Sequence, residues 1–278
     1  VIVLGVPAQV DIGGGIGPYA VPGAVTFDGA TSARIASIPA FSGNSLSAAG
    51  WFKTTWGIPA AQTGAGNSSV LFVVDPISNY LPEWNGGGQL TVAPNIRNAF
   101  SVGDITGSNS LVANRYAADG SGNPIAPANP AAWQHWAWGM QSNFAAGSKL
   151  VNLFINGISF APTTITDTHP SLAIAWNSGV ALWIGDDGAS TPSFRQWFYG
   201  DVAELSVWPG TLITSSNISK FIDSNGKPVS PSVAISAFGS PAIMFSGGAS
   251  SFLANSLGTY GAAAIQTGAL TNAPSVPS

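Results

Sequence analysis

Only two glutamates, Glu83 and Glu204, occur in this chain of 278 residues, and they stand far apart. Cleavage of a glycosidic bond needs two carboxyl groups flanking that bond, about 5 Å apart where one acts as nucleophile. On a strand, this requires acidic residues at alternate positions, so that both reach one face. No Glu-x-Asp-x-Glu run exists. Asp186 and Asp187 are adjacent, so a strand would send them to opposite faces, and after Leu182-Trp183-Ile184-Gly185 they read as a turn. His135 and His169 are the only imidazoles, and neither belongs to an H-x-H or H-E-x-x-H metal spacing. His135 reads as a half-buried histidine bonding across strands. No G-x-S-x-G elbow is present. Gly15 to Ala20 has the letters of G-x-G-x-x-A, but Pro18 and the lack of a following helix rule out a dinucleotide loop. Without cysteine there is no disulfide, thiolate site or cysteine nucleophile. The expectation is a protein that is not an enzyme.

Binding chemistry is better represented. Of ten tryptophans, Trp51, Trp133, Trp136, Trp138, Trp183 and Trp208 sit in strand-like runs and are assigned to packing. Tyr80 and Trp84 fall in N-Y-L-P-E-W-N-G-G-G, read as part of a long Pro/Gly/Asn-rich loop over Asp75–Gly88. Exposed aromatic faces there could stack on sugar rings, with Glu83 and Asn85 supplying hydrogen bonds. Tyr80, Glu83, Trp84 and Asn85 are therefore the candidate carbohydrate-binding residues, the competing reading being aromatics that pin the loop or touch a neighbouring subunit.

The elements that must position these residues are short. Alternating or apolar runs between turn residues predict strands at Ala24–Phe27, Ala33–Ser37, Ser45–Lys53, Val70–Val74, Gln89–Ala93, Ala99–Val102, Trp133–Met140, Lys149–Ile155, Val180–Ile184 and Gly200–Trp208. In Lys149–Gly157, Leu150, Asn152, Phe154 and Asn156 face one way and Val151, Leu153 and Ile155 the other, ending in an Asn-Gly turn pair. In Trp133–Met140, Trp133, His135 and Ala137 oppose Trp136, Trp138 and Met140, so both faces of that strand are bulky. The one helical pattern is Ser215–Ile222. A second loop spans Asp119–Ala132. Gly 34 and Pro 20 suit many turns.

Charged residues make up 7%, against roughly 25% in an average soluble domain. Eight unclustered basic residues and a net charge of -4 argue against nucleic-acid binding. No run approaches the roughly 18 apolar residues of a membrane helix, so no membrane insertion is expected. V-I-V-L-G is too short for a signal peptide. The missing cysteines lean towards a bacterial or viral source. A surface with so few charges suits a subunit packed into a larger assembly.

Five segments in order, V-T-F-D-G (Val25 to Gly29), W-Q-H-W-A (Trp133 to Ala137), L-F-I-N-G (Leu153 to Gly157), L-W-I-G (Leu182 to Gly185) and Y-G-D-V-A-E-L-S-V-W (Tyr199 to Trp208), resemble the laminin-G-like or concanavalin-A-like jelly roll family. The resemblance implies an all-β fold, a two-sheet antiparallel jelly-roll sandwich with a short helix and an irregular C-terminal extension. A composition change near Pro209, after which the chain is Ser/Ala/Gly-rich, completes a division into an N-terminal arm (1–22), the jelly roll (23–210) and a C-terminal segment (211–278) packing on the sandwich or on a neighbour. In that family the W-x-H strand and the strand ending L-x-x-N-G build one concave sheet. Some relatives hold calcium near an Asp of the last segment; here Glu204 matches the following Glu, but Ala203 stands where that Asp is expected. No cofactor and no metal site are therefore expected. A structural calcium using Asp28 and Asp201 is the alternative, though calcium takes about six to eight oxygen ligands.

Three later stretches, F-I-D-S-N-G-K-P-V (Phe221 to Val229), P-A-I-M-F-S-G (Pro241 to Gly247) and T-G-A-L-T-N-A-P (Thr267 to Pro274), resemble the ends of phage virion proteins that carry such a domain. The combined resemblance implies a non-enzymatic virion accessory protein, a capsid decoration or a tail or fibre appendage. Its partners would be other virion proteins and sister copies, as a homo-oligomer such as a trimer, together with a host surface glycan. The alternative is a secreted or surface carbohydrate-binding module.

Overall fold

The computed structural model describes residues 19–54, 67–69, 71–74, 78–86, 96–103, 109–116, 132–143, 148–160, 164–167, 174–186 and 198–278. Its strands are β1 (Val25–Asp28), β2 (Ser32–Ile35), β3 (Phe41–Gly43), β4 (Ser45–Thr54), β5 (Asn67–Ser69), β6 (Leu71–Val74), β7 (Ser78–Gly86), β8 (Ile96–Gly103), β9 (Asn109–Tyr116), β10 (Gln134–Asn143), β11 (Ser148–Ile155), β12 (Ile158–Phe160), β13 (Thr164–Asp167), β14 (Ile174–Trp176), β15 (Leu182–Ile184), β16 (Tyr199–Pro209), β17 (Ile243–Phe245), β18 (Ala264–Thr267) and β19 (Thr271–Asn272). One α-helix is described, α1 (Pro231–Phe238). All pairings among the described residues are antiparallel. One sheet runs β12-β11-β10-β4-β16-β1-β19, with β17 also on β16; the other runs β13-β9-β8-β7-β6-β15-β2-β18, with β5 on β7; β14 and β3 form a small third ladder.

Period-two alternation divides the first sheet into two buried faces. From β4, Leu46, Ala48 and Phe52 enter the main core, as do Trp136, Trp138 and Met140 from β10 and Leu153 and Ile155 from β11. There they meet Ala33 and Ile35 of β2 and Leu182 and Ile184 of β15 in the facing sheet. The intervening residues Ala49, Trp51, Ala137 and Phe154 enter a second core on the other side. An antiparallel sheet commonly leaves one face to water. Here the C-terminal segment covers it, bringing Ile213, Ile218, Phe221, Ile222 and Ala234 onto that face.

Side chains of the sheet bind the covering backbone directly. Ser47 Oγ donates to the Thr211 carbonyl and accepts from the Ile213 N–H, both at 2.9 Å, and Asn152 Nδ2 donates to the Ile213 carbonyl at 2.9 Å. The approach is close enough to require glycine beneath it. A Cβ at Gly139 would lie 2.6 Å from the Ile213 carbonyl oxygen and 3.1 Å from its nitrogen. Gly139→Ala is expected to cost about 1–3 kcal/mol through overpacking. A denaturant melt checks this, and an unchanged midpoint would show that the segment can lift without loss.

Two elements depart from the sequence reading. The pattern at Ser215–Ile222 forms only a short 3-10 turn at Ile218–Lys220, while the α-helix lies further on at Pro231–Phe238. Ser230 before Pro231 is a helix-start signal, because the missing proline N–H would have had no partner in the first turn anyway. The supposed loop over Asp75–Gly88 contains β7, and the loop over Asp119–Ala132 and the strand at Gln89–Ala93 lie outside the described residues, save Ala132.

Candidate functional site

The predicted sugar-contacting residues lie on β7, not in a loop. Tyr80 pairs with Phe72 of β6 and Ser101 of β8; Glu83, Trp84 and Asn85 pair with Ser69, Ser68 and Asn67 of β5 and with Ala99, Asn98 and Arg97 of β8. A register shift falls between Tyr80 and Glu83. Their backbones are thus held inside the second sheet, while the disposition of their side chains lies outside the described residues, as do Asp187 and His169. Asp186 is fully buried.

The two acids named for calcium are already engaged. Asp201 Oδ1 accepts from Thr26 Oγ1 at 2.6 Å across the β1–β16 ladder, and Asp28 Oδ1 accepts from the Ala30 N–H at 2.9 Å, closing a local turn. No group of three or more His, Cys, Asp or Glu side chains is placed to hold a metal among the described residues.

The cluster that sequence reasoning missed centres on Glu204. Between Ala203 and Ser206 the pairing of β16 with β4 shifts, so one extra residue is inserted opposite Gly50. One class of bulge places its first residue in the left-handed region, and Glu204 takes that conformation, with φ 50°. For a residue other than glycine that costs about 1–3 kcal/mol. Gly50 makes room, since a Cβ there would lie 3.3 Å from Leu205 Cα and 2.9 Å from the Phe52 ring. The effect is to reset alternation. Val202, Leu205 and Val207 face the main core, Ala203 and Trp208 the second one, and Glu204 is turned with them away from the apolar interior. Strict alternation would have driven its carboxylate into the main core.

Glu204 Oε1 accepts hydrogen bonds from Tyr19 Oη at 3.1 Å and Ser246 Oγ at 2.9 Å, tying the start of the described chain and the C-terminal segment to β16. Burial raises its pKa, against the opposing effect of those two hydrogen bonds. Burial and the adjacent carboxylate push the Tyr19 phenol up. Beside Glu204 lies a small, partly open pocket of about 20 Å³ whose lining includes Trp51, His135, Trp208, Lys220 and Phe221. His135 is 2% exposed, edge-on to Trp51 at 5.2 Å and stacked on Phe221 at 6.2 Å. Burial lowers its pKa to about 3, so it is neutral at ordinary pH. Its Nδ1 has no protein partner, and the ring is fully buried where the sequence reading had it half-buried. Glu204 Oε2 and Trp208 Nε1 likewise have no protein partner. Each buried polar atom left without a partner costs about 1–3 kcal/mol. No acid-base pair or nucleophile is assembled here; the cluster joins three parts of the chain.

No protein-family model matches the chain. A Bacteroides ovatus protein, provisionally described as carbohydrate-binding, superposes with a TM-score of 0.52 at 14% identity, over 94% of this chain and 62% of its own. The chain is an all-β, jelly-roll-like sandwich. Calsyntenin-2 of zebrafish (Danio rerio) is 35% identical over 72 residues, which is 25% of this chain and 8% of that protein. The enzymatically active domain of tailspike protein 2 from bacteriophage CBA120 superposes with a TM-score of 0.42 at 13% identity, over 70% of this chain and 26% of that one. The sandwich thus spans less than two thirds of the length of each of these proteins. No described helix is long and apolar enough to cross a membrane.

Proposed function

We propose that this chain is a non-catalytic structural subunit of a bacteriophage particle, a capsid decoration or a tail or fibre appendage, that assembles with sister copies and other virion proteins. The observation that carries this reading is the surface of its C-terminal segment. From Pro228 to Ser278 there is no charged side chain. Much of that stretch nevertheless faces outward, with every residue of β18 exposed and Leu257, Ile265 and Val276 at 44%, 42% and 39%. β18 is also an outer strand of its sheet. Outer strands that stay single are usually guarded by charge or proline, to prevent edge-to-edge pairing. β18 carries neither charge nor proline, though it is short and its register with β2 shifts between Ile265 and Thr267; such an edge suits a protein whose neighbours cover it, as in weakly charged permanent interfaces. The resemblance of the tail motifs to virion proteins supplies the setting.

Light scattering of the purified chain across a concentration series tests this reading. A stable trimer or larger ring is the expected result, and a monomer at every concentration would sink it. The second reading, a carbohydrate-binding module, is favoured by the fold shared with the Bacteroides ovatus protein and by the aromatic segment at Tyr80–Asn85. It predicts that a glycan array shows binding that is lost in Trp84→Ala. Contact with a host glycan is compatible with both readings.

A further inference from the structure

We propose that the outer face of the second sheet is a binding platform for an oligosaccharide laid across its strands, with Trp183 as the stacking ring and Arg34 as the hydrogen-bond donor beside it. This rests on the carbohydrate-binding reading and moves it from one segment to a whole face.

Side chains of two strands fix which face is which. Ala33 and Ile35 of β2 and Leu182 and Ile184 of β15 are buried in the main core. Between them, Arg34 and Trp183 stand opposite each other in register, half-buried and on the side away from that core. The Arg34 guanidinium lies 5.4 Å from the centre of the Trp183 ring, within reach of a cation–π contact. Directly paired residues of an antiparallel ladder share a face, so register extends this one strand by strand. Trp183 is opposite Phe72 of β6, and Phe72 is opposite Tyr80 of β7. Three aromatic residues therefore hold neighbouring positions on the outer face, while Leu71 and Val73 take the core-side positions of β6. Aromatic residues that served only packing belong on the core side. Ala264 of β18, small and exposed, stands next to Arg34 at the end of the row.

The irregularity in β7 adds polar positions to this face. Tyr80 is opposite Ser101 of β8 and Glu83 opposite Ala99, so three steps along β7 match two along β8. Glu83 and Asn85 thereby take positions on the face of Tyr80, and Trp84 falls on the other. Strict alternation would have done the reverse. Aromatic positions flanked by guanidinium, carboxylate and amide groups fit a ligand with apolar ring faces and hydroxyl rims, which is the chemistry of a pyranose chain. Adjacent strands lie about 4.8 Å apart, so the three aromatic positions span roughly 10 Å, more than one sugar ring fills. The corresponding face of the first sheet is closed by the C-terminal segment and cannot serve. Trp84 can affect binding only through the sheet.

A glycan array probed with the full chain, followed by titration of the best-bound oligosaccharide into variants, tests the platform. Trp183→Ala and Arg34→Ala are each expected to weaken binding about tenfold or more, and Trp183→Tyr to keep most of it. The monosaccharide unit should bind far more weakly than the chain. Binding that survives both alanine variants unchanged would overturn the platform and leave the carbohydrate-binding reading standing. An array on which the wild-type chain binds nothing would overturn both. Loss of self-association in the two variants, with glycan binding intact, would make this face an interface between copies and overturn the platform as well. Should Trp183→Ala fail to fold, nuclear magnetic resonance of the wild-type chain decides the matter. The Trp183 indole signal should shift as the oligosaccharide is added, and an unmoved signal would count against the site.

Discussion

A chain ending at Gly210 is expected not to reach a soluble folded state. Removing residues 211–278 strips the outer face of the first sheet, leaving Trp51, Phe154 and Trp208 in water beside the unfilled polar groups of Ser47, Asn152 and Glu204. Burying a large apolar side chain contributes about 1.5–3 kcal/mol. Three of them alone rival a whole domain's stability of about 5–15 kcal/mol. The cut also deletes β17, which takes over pairing to β16 at Leu205–Val207, where β1 has ended at Val202. Expression followed by a circular dichroism melt checks the expectation. A soluble truncated chain melting within about 5 °C of the full one would mean that the sandwich closes without its cover.

Stability is expected to fall steeply on acidification below pH 6.5, and to do so through His135. Its pKa is about 3 in the folded state and 6.5 when exposed, so unfolding takes up a proton between those values. Its contribution is complete above pH 6.5 and is lost progressively as pH drops towards 3, by about 1.4 kcal/mol per pH unit. Glu204 acts in the opposite sense. Its raised pKa makes the folded state favour the protonated acid, so that contribution is present below the ordinary carboxylate value and is lost as pH rises through the raised one. Below about pH 4.5 Glu204 is protonated in both states and adds no slope. Denaturant unfolding of wild type and His135→Phe from pH 7 to 3 separates the two, since phenylalanine keeps the ring contacts with Trp51 and Phe221. Parallel pH dependence in both proteins would remove His135 from the account.

Much of the first sheet was legible because a buried strand writes its two faces as alternating letters. Trp136, Trp138 and Met140 against Ala137, and Leu153 and Ile155 against Phe154, divide as period two requires. Counting fails at Glu204, where the bulge inserts a residue and the left-handed backbone is taken by a residue type that rarely adopts it. Nothing local announces that exception. Trp84 and its neighbours read as loop because Pro82, Asn85 and the following glycines favour turns, yet their backbones are claimed by ladders to β5, β6 and β8, partners distant in sequence. The pocket was invisible for a similar reason. His135 lies on β10, Glu204 and Trp208 on β16 and Phe221 in the covering segment, and only folding brings them to line one pocket.

The last two strands carry a mechanical consequence. β19 lies antiparallel to β1, with Asn272 opposite Val25 and Thr271 opposite Thr26, and the Ala273 N–H reaches the Ala24 carbonyl at 3.0 Å. The segments before Val25 and after Asn272 therefore leave this short ladder on the same side. Tension applied between them peels its rungs one after another instead of shearing them all at once. Under load applied between these two segments, this two-pair ladder is expected to part before the longer ladders behind it.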